Sequence, residues 1–356
     1  MWGTHLPIVP TSILRRYHVH RPRDHRFRAC ARLLQSIWRS SHGFAMGSHT
    51  GHSGTKYRLG SRLAARAATA GANFIIPEVA QLARWEAAYR EPGALIDEER
   101  LFTNLLSSMS LCINLLGPLK LDLDLASRVI SALCPNLGRI SVREILFEHA
   151  PARGNWALTG DHTAWDAFII YSRPTGEQGF VAVECKYSES TRDTRTELSP
   201  RYPAIAEQWK VYRSSPRSVA ADLTLQQLYR EHLMAQAYLP LSQFTEGHFA
   251  VISPALNRPV QRSVNRYRGA LAQKDELPFL SWTLEDAIGA FDQVGASAYA
   301  GLLHQRYCDW ERLHQEVEAA FAVAGRLPLG AGRSRALRAR ELLLLDLRAE
   351  RPGPEL

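Results

Sequence analysis

The chain has 356 residues, 46% hydrophobic and 22% charged, the composition of an ordinary soluble globular protein of one large or two small domains. No uninterrupted apolar run is long enough to span a bilayer. Five cysteines (30, 112, 134, 185 and 308) form no C-x-x-C pair, which argues against a zinc ribbon or a disulfide framework and suits a reducing cytoplasm. The net charge of +8 is uneven: residues 1–45 hold eight arginines and one acid, leaving +1 for the other 311 residues. A nucleic-acid surface on the body of the protein must therefore be a local patch.

Residues 1–45 are rich in arginine and histidine and show no clear periodicity; with the polar stretch after Met46 they read as a basic, disordered segment over 1–55. Three readings compete: an arm that binds nucleic acid, an acid-poor targeting leader, or translation from Met46. Helical patterns follow over 78–91, over 97–116 with acids at its start and Gly117-Pro118 as its stop, and over 122–134. These make a helical part over 56–139. Residues 140–149 fit a capping box or a strand, and the neighbouring pattern favours a strand. WDAFIIY (165–171) and GFVAVECKY (179–187), joined by a Pro/Gly-containing link, read as an antiparallel hairpin. A polar loop covers 188–203. Helices are expected over 204–213 and 222–239, the latter with Leu225, Leu228, Leu233 and Met234 at helical spacing, and a strand over 248–253. Beyond 257 the chain reads as a helical extension to 356, with one long helix over 296–323 and a charged last helix. The middle of the chain, 140–256, is thus an α/β core with a small mixed sheet.

The chemistry gathers in the hairpin. Asp166 opens one strand, and Glu184 and Lys186 end its partner. Antiparallel pairing brings these ends together, provided that register puts Asp166 on the Glu184 face. Two hard carboxylates suit Mg²⁺, and a lysine beside them can orient a water or stabilise charge on a phosphate. The set fits metal-assisted phosphodiester hydrolysis.

Asp166, followed after 17 residues by Glu184-Cys185-Lys186, resembles the motif of the PD-(D/E)XK nuclease superfamily, within the texts FEHAPARGNWALTGDHTAWDAFIIY and GFVAVECKYSE of a bacterial restriction-endonuclease-like branch. The resemblance is plainest over 140–255. It implies a restriction-endonuclease-like (αβββαβ) core with N- and C-terminal helical extensions, Asp166 and Glu184 as ligands of Mg²⁺ (or Mn²⁺), and Lys186 as an aid to the attacking water. Trp165 stands where the family's proline often precedes the aspartate, and Asp161 is a rival for the metal aspartate. An upstream glutamate is expected at Glu148, with Glu144 and Glu99 as alternatives. A Gln/Tyr pair on the helix after the motif would be Gln208 and Tyr212; Gln227 with Arg230 is the other option. Arg153, His149, His162 and the loop arginines 192, 195 and 201 could meet phosphate. Trp165, Trp209, Tyr187 and Tyr212 could stack on bases or pack in the core. The implied activity is a Mg²⁺-dependent, cytoplasmic deoxyribonuclease, an endonuclease acting on double-stranded DNA, with the C-terminal helices packing on the core or forming a homodimer seam. The alternatives are a catalytically inactive nucleic-acid-binding or assembly module of the same fold, and a regulator that binds through the basic arm.

Overall fold

The computed structural model describes residues 5–51, 54–94, 96–151, 153–189, 191, 198–272 and 277–325. The chain forms two compact units: one contains residues up to Asn73, Phe102–Leu106 and the segment from His304 onward, the other Phe74–Leu101 and Ser107–Leu303.

The first unit departs from the disorder expected for the basic segment. It contains α1 (Thr11–Arg16), α2 (Arg26–Ser41), the antiparallel hairpin of β1 (Met46–Thr50) and β2 (Lys56–Leu63), and α3 (Ala65–Thr69). Phe27, Cys30, Ala31, Leu34, Ile37 and Trp38 recur every three or four residues along α2 and are buried. Arg32 and Arg39 are buried with them. Arg32 bonds Asp24 and reaches Ser61 Oγ at 3.1 Å, and Arg39 donates to the Gly60 carbonyl at 2.9 Å. The arginine content that suggested a solvated tail is partly internal wiring.

After α3 come α4 (Pro77–Ala88) of the second unit, α5 (Glu98–Thr103), whose last two residues are counted in the first unit, and α6 (Ser108–Leu121) of the second. The single helix expected over 97–116 is broken at Asn104, whose side chain accepts from the Leu106 N–H. Nor does Gly117-Pro118 stop α6. Gly117 lets the helix approach α4 closely: a Cβ there would lie 3.2 Å from Val79. Pro118 cannot donate to the Asn114 carbonyl, and the Tyr299 hydroxyl does so instead, at 2.7 Å. Then follow α7 (Leu123–Leu133), capped by Asp122, β3 (Ser141–His149), β4 (Trp165–Ser172) and β5 (Gln178–Cys185).

Next come α8 (Arg201–Gln208), α9 (Pro216–Ala221), α10 (Gln226–Tyr238), β6 (Glu246–Ser253), α11 (Arg258–Ala270), β7 (Phe279–Thr283), α12 (Leu284–Gln293) and α13 (Ser297–Tyr307); α14 (Trp310–Gly325) belongs to the first unit. The helix expected over 204–213 ends at Gln208, and Lys210 turns the chain with φ 51°. The helix expected from 222 starts later because the Asp222 carboxylate holds Thr224 in a local turn. The long helix over 296–323 is two, α13 and α14. The fifth strand, β7, has no forewarning in the sequence: five residues are too few to show a period. The expected charged last helix, together with Arg192 and Arg195, lies outside the described residues.

The five strands form one mixed sheet in the order β3-β4-β5-β6-β7, antiparallel through β5 and parallel beyond it. One face carries Phe168, Phe180, Ala182, Phe249 and Val251 and packs on Leu228 and Leu233 of α10 and Val260 and Val264 of α11. On the other face Ile169, Val183 and Ile252 meet Leu115, Leu119, Val129 and Phe291 from α6, α7 and α12. The sheet is therefore covered on both sides, as an α/β core requires. Its strand ends at Asp166 and Cys185 are where polar side chains can collect.

Candidate active site

Register decides which side chains meet. Ala167 pairs with Val183, so one further step sets Asp166 beside Glu184; Phe147 pairs with Ala167 and His149 with Trp165, which sets Glu148 beside Asp166. The ladder changes character here. The Cys185 N–H donates to Asp166 Oδ2 at 2.8 Å, and a side chain takes the place of a strand carbonyl. Glu148 has φ 52°, the left-handed region that a non-glycine residue rarely occupies, at a cost of about 1–3 kcal/mol.

Glu184 is 4% exposed and Lys186 7%, and their charged ends lie 2.7 Å apart. The Lys186 N–H donates to the Ile252 carbonyl at 2.8 Å, which ties the motif to the next strand. From α10, Gln227 Nε2 donates to Glu184 Oε1 at 2.7 Å and to Glu231 Oε1 at 2.8 Å. Glu231 is 3% exposed, and its Oε2 has no hydrogen-bond partner. The Trp165 indole donates to the Glu231 carbonyl at 3.1 Å and stacks on Phe168, which docks α10 against β4.

Three acids, Glu184, Glu231 and Asp166, thus face one lysine, and Glu148 lies close enough to Glu184 and Asp166 to feel and exert their repulsion. Glu148 and Asp166 line a small, largely apolar gap with Met109, Cys112, Ile113 and Phe147. Burial and the Glu184 charge raise the Glu148 carboxyl to about 7, although Arg100 and Arg153 oppose the shift. Burial, then Glu184 and Glu148, push Asp166 well above the usual range. Burial and Glu184 do the same to Glu231. For Lys186 burial disfavours the charge, but Glu184, Glu231 and Asp166 outweigh it and raise the ammonium above its ordinary value. Glu189 differs: against the penalty of burial, Arg100 at 2.9 Å and Lys186 hold its carboxyl below the usual range.

Over residues 22–309 the chain matches the family model described as the PD-(D/E)XK nuclease superfamily. The chain belongs to this superfamily. No curated protein and no solved structure matches it.

Superfamily members generally use divalent metal ions, and the site's chemistry suits one. The donors are all oxygens, negative charge exceeds positive, and one buried carboxylate oxygen is unsatisfied. Among the described residues no group of three or more His, Cys, Asp or Glu side chains is set to hold a metal ion. Two carboxylates with retained waters remain, the arrangement that Mg²⁺ favours.

The structure brings Asp166, Glu184, Lys186, Glu148 and Gln227 together. Arg230 is the neighbour of Glu231 and partly offsets its charge. Arg153 donates to the Pro92 carbonyl at 2.6 Å and lies 3.8 Å from Glu91. Gln208 and Tyr212 do not form a pair on one helix: Gln208 is exposed, and the Tyr212 hydroxyl bonds Tyr267 at 2.8 Å inside the core. Asp161 accepts from Thr159, Thr163 and Tyr202 and fixes its own loop. Glu144, Glu99 and His162 are exposed, His149 bonds Glu91 at 2.5 Å, and Tyr187 and Trp165 are fully buried. Arg201 donates to the Leu158 carbonyl at 3.2 Å, and Trp209 packs partly buried on the core. Glu231 and Glu189 were missed. Glu231 had a signal: it sits three residues after the buried Leu228, an acid on the inward side of α10. Among the described residues no helix is long and apolar enough to cross a membrane.

Proposed function

We propose that the chain is a divalent-metal-dependent deoxyribonuclease that cuts within double-stranded DNA. The observation that carries this reading is the meeting of Asp166 and Glu184 at the β4–β5 strand end, with the Lys186 ammonium 2.7 Å from Glu184. Asp166 and Glu184 would hold Mg²⁺ or Mn²⁺, which when bound supplies Lewis acidity to the phosphoryl oxygen and a more acidic water.

The chain's own residues do the rest. Hydrolysis joins the oxygen of water to phosphorus and breaks one ester P–O bond. Glu148, with its carboxyl near 7, can take the proton that water loses at working pH. Lys186 stays charged under its three carboxylate neighbours and offers an N–H to the oxygen on which charge develops. Gln227 pins Glu184, and through it Lys186, in place. Cutting both strands of a duplex calls for two such sites, which a homodimer would supply.

A second reading keeps the fold and the nucleic acid but not the chemistry; Trp165 in the proline position and the closed Lys186–Glu184 pair favour it. Incubation of the purified protein with linear and circular duplex DNA, with and without Mg²⁺, tests both. Consumption of the circle only with metal, abolished in Asp166→Asn and Glu184→Gln, is expected. Full metal-dependent cleavage by both variants would overturn the site; metal-independent DNA binding without cleavage would favour the second reading.

A further inference from the structure

We infer that the outer face of α11 is the track on which the phosphate backbone of a DNA duplex rests as it enters the site; this rests on the nuclease reading above. The helix (RPVQRSVNRYRGA) carries Arg258, Arg262, Arg266 and Arg268, and no acid occurs in the sequence between Gly247 and Gln273. Its inward positions Val260, Ser263, Val264 and Tyr267 are buried, which fixes its orientation. Arg258, Arg262, Asn265 and Arg266 are consequently turned outward, and all four are exposed.

Three of these arginines follow at intervals of four, about 6 Å apart along the axis, and span about 12 Å. On B-DNA about 12 Å of one strand offers three or four phosphates. Arg266 pairs with Asp222, and Arg268 bonds Ser281 and lies 6.0 Å from the Phe279 ring centre. Among the described residues the Arg258 and Arg262 guanidinium groups have no ion pair or hydrogen bond, and both are open to a ligand.

A solvated helix face ordinarily interleaves opposite charges, and like charges four apart repel each other. Here nothing within the helix relieves that repulsion, whereas a polyanion would. In a chain whose net charge beyond residue 45 is only +1, a helix with four arginines and no acid of its own, of which only Arg266 is paired with an acid from outside it, forms the local patch that DNA binding demands.

The row also starts at the right place. β5 and β6 run parallel and end together, with Glu184 opposite Val251 and Cys185 opposite Ile252. Asn257, which precedes α11, donates through Nδ2 to the Tyr187 carbonyl at 2.9 Å and the Glu189 carbonyl at 3.3 Å. The first turn of α11 is therefore fastened to the backbone that follows Lys186, and the arginine row leads away from it.

The test is fluorescence anisotropy with a labelled duplex of about 30 base pairs, in chelator to prevent cleavage, between about 50 and 200 mM salt. The proteins are the full chain, Arg258→Gln/Arg262→Gln and Arg258→Lys/Arg262→Lys, with melting curves to check the fold. The glutamine pair should weaken binding about tenfold or more and flatten the slope of log K against log salt by about 1.8, two phosphate contacts at about 0.9 each. The lysine pair should keep the slope. Unchanged affinity and slope in the glutamine pair, with the unaltered chain binding and cutting DNA, would overturn the track and leave the nuclease reading standing. The expected losses in a chain that cuts nothing with any divalent metal would uphold the track and sink the nuclease reading. Absence of duplex binding by the unaltered chain would overturn both.

Discussion

Both units of this protein bury charge, and they do so in opposite ways. In the first, Arg32 and Arg39 are inside but spend their guanidinium groups on Asp24, Ser61, Ser40 and the carbonyls of Gly60 and Phe44. In the second, Asp166, Glu184 and Glu231 face Lys186 with Glu148 beside Glu184, and three of the four acids are pushed toward their protonated forms. The first arrangement is stable as it stands. The second is under electrostatic stress that a cation would release. The difference separates charge buried for architecture from charge buried for chemistry better than a count of charged residues does.

The sharpest test of the contrast is the sign of a neutralisation. Arg39→Met should be destabilising, by about 3 kcal/mol, because it strands the buried Gly60 carbonyl at about 1–3 kcal/mol and leaves the half-buried Phe44 carbonyl without its partner; Ser40, exposed, can turn to water. Arg262→Met, on an exposed face, should change stability by no more than about 0.5 kcal/mol. Urea denaturation measures both. A loss below about 1 kcal/mol for Arg39→Met would mean that water can serve the Gly60 carbonyl and that the first unit's charge is not internal wiring.

In the second unit neutralisation should stabilise. Glutamate ordinarily titrates near 4.5, and Glu148 in the fold does so at about 7. Between those values the folded chain holds a proton that the unfolded chain has lost, so stability falls as pH rises through about 7. The full penalty, about 3 kcal/mol, is present above pH 7 and absent below about pH 4. Glu148→Gln should therefore gain about 2–3 kcal/mol over the unaltered chain at pH 8 without metal and nothing at pH 4. A pH-independent difference would show that Glu148 titrates normally.

How much of this was legible follows from the range of the interactions involved. The hairpin was readable because strand period and a turn-rich link are local features, and they carried Asp166, Glu184 and Lys186 to one strand end. The αβββαβ order was readable for the same reason. The burial of α2 is hard to read from sequence although Phe27, Cys30, Ala31, Leu34, Ile37 and Trp38 have helical spacing: arginine stems can lie along an apolar face while the head finds an acceptor, so charge masks the period. Pro118 looks like a stop in the sequence because the hydroxyl that relieves Asn114 comes from Tyr299, 185 residues on from Asn114. Glu231 acquires its place only when Trp165 docks α10 on β4, a tertiary event with no local sign beyond an acid on an inward face.

The smallest expected effect bears most directly on what the acid cluster is for. If Asp166 and Glu184 hold a divalent ion, Mg²⁺ at about ten times its Kd should stabilise the folded chain by about 1.4 kcal/mol, since a ligand that binds only the native state adds RT ln(1 + [L]/Kd). The gain should change through about pH 7 as a proton claims Glu148, and K⁺ at equal ionic strength should not reproduce it. Asp166→Asn separates ligation from general screening. It removes one ligand and one repelling charge, so the metal-free variant should melt higher than the unaltered chain yet no longer respond to Mg²⁺. An equal response in both proteins would place the ion elsewhere, and the crowding of carboxylates at this strand end would then need another explanation.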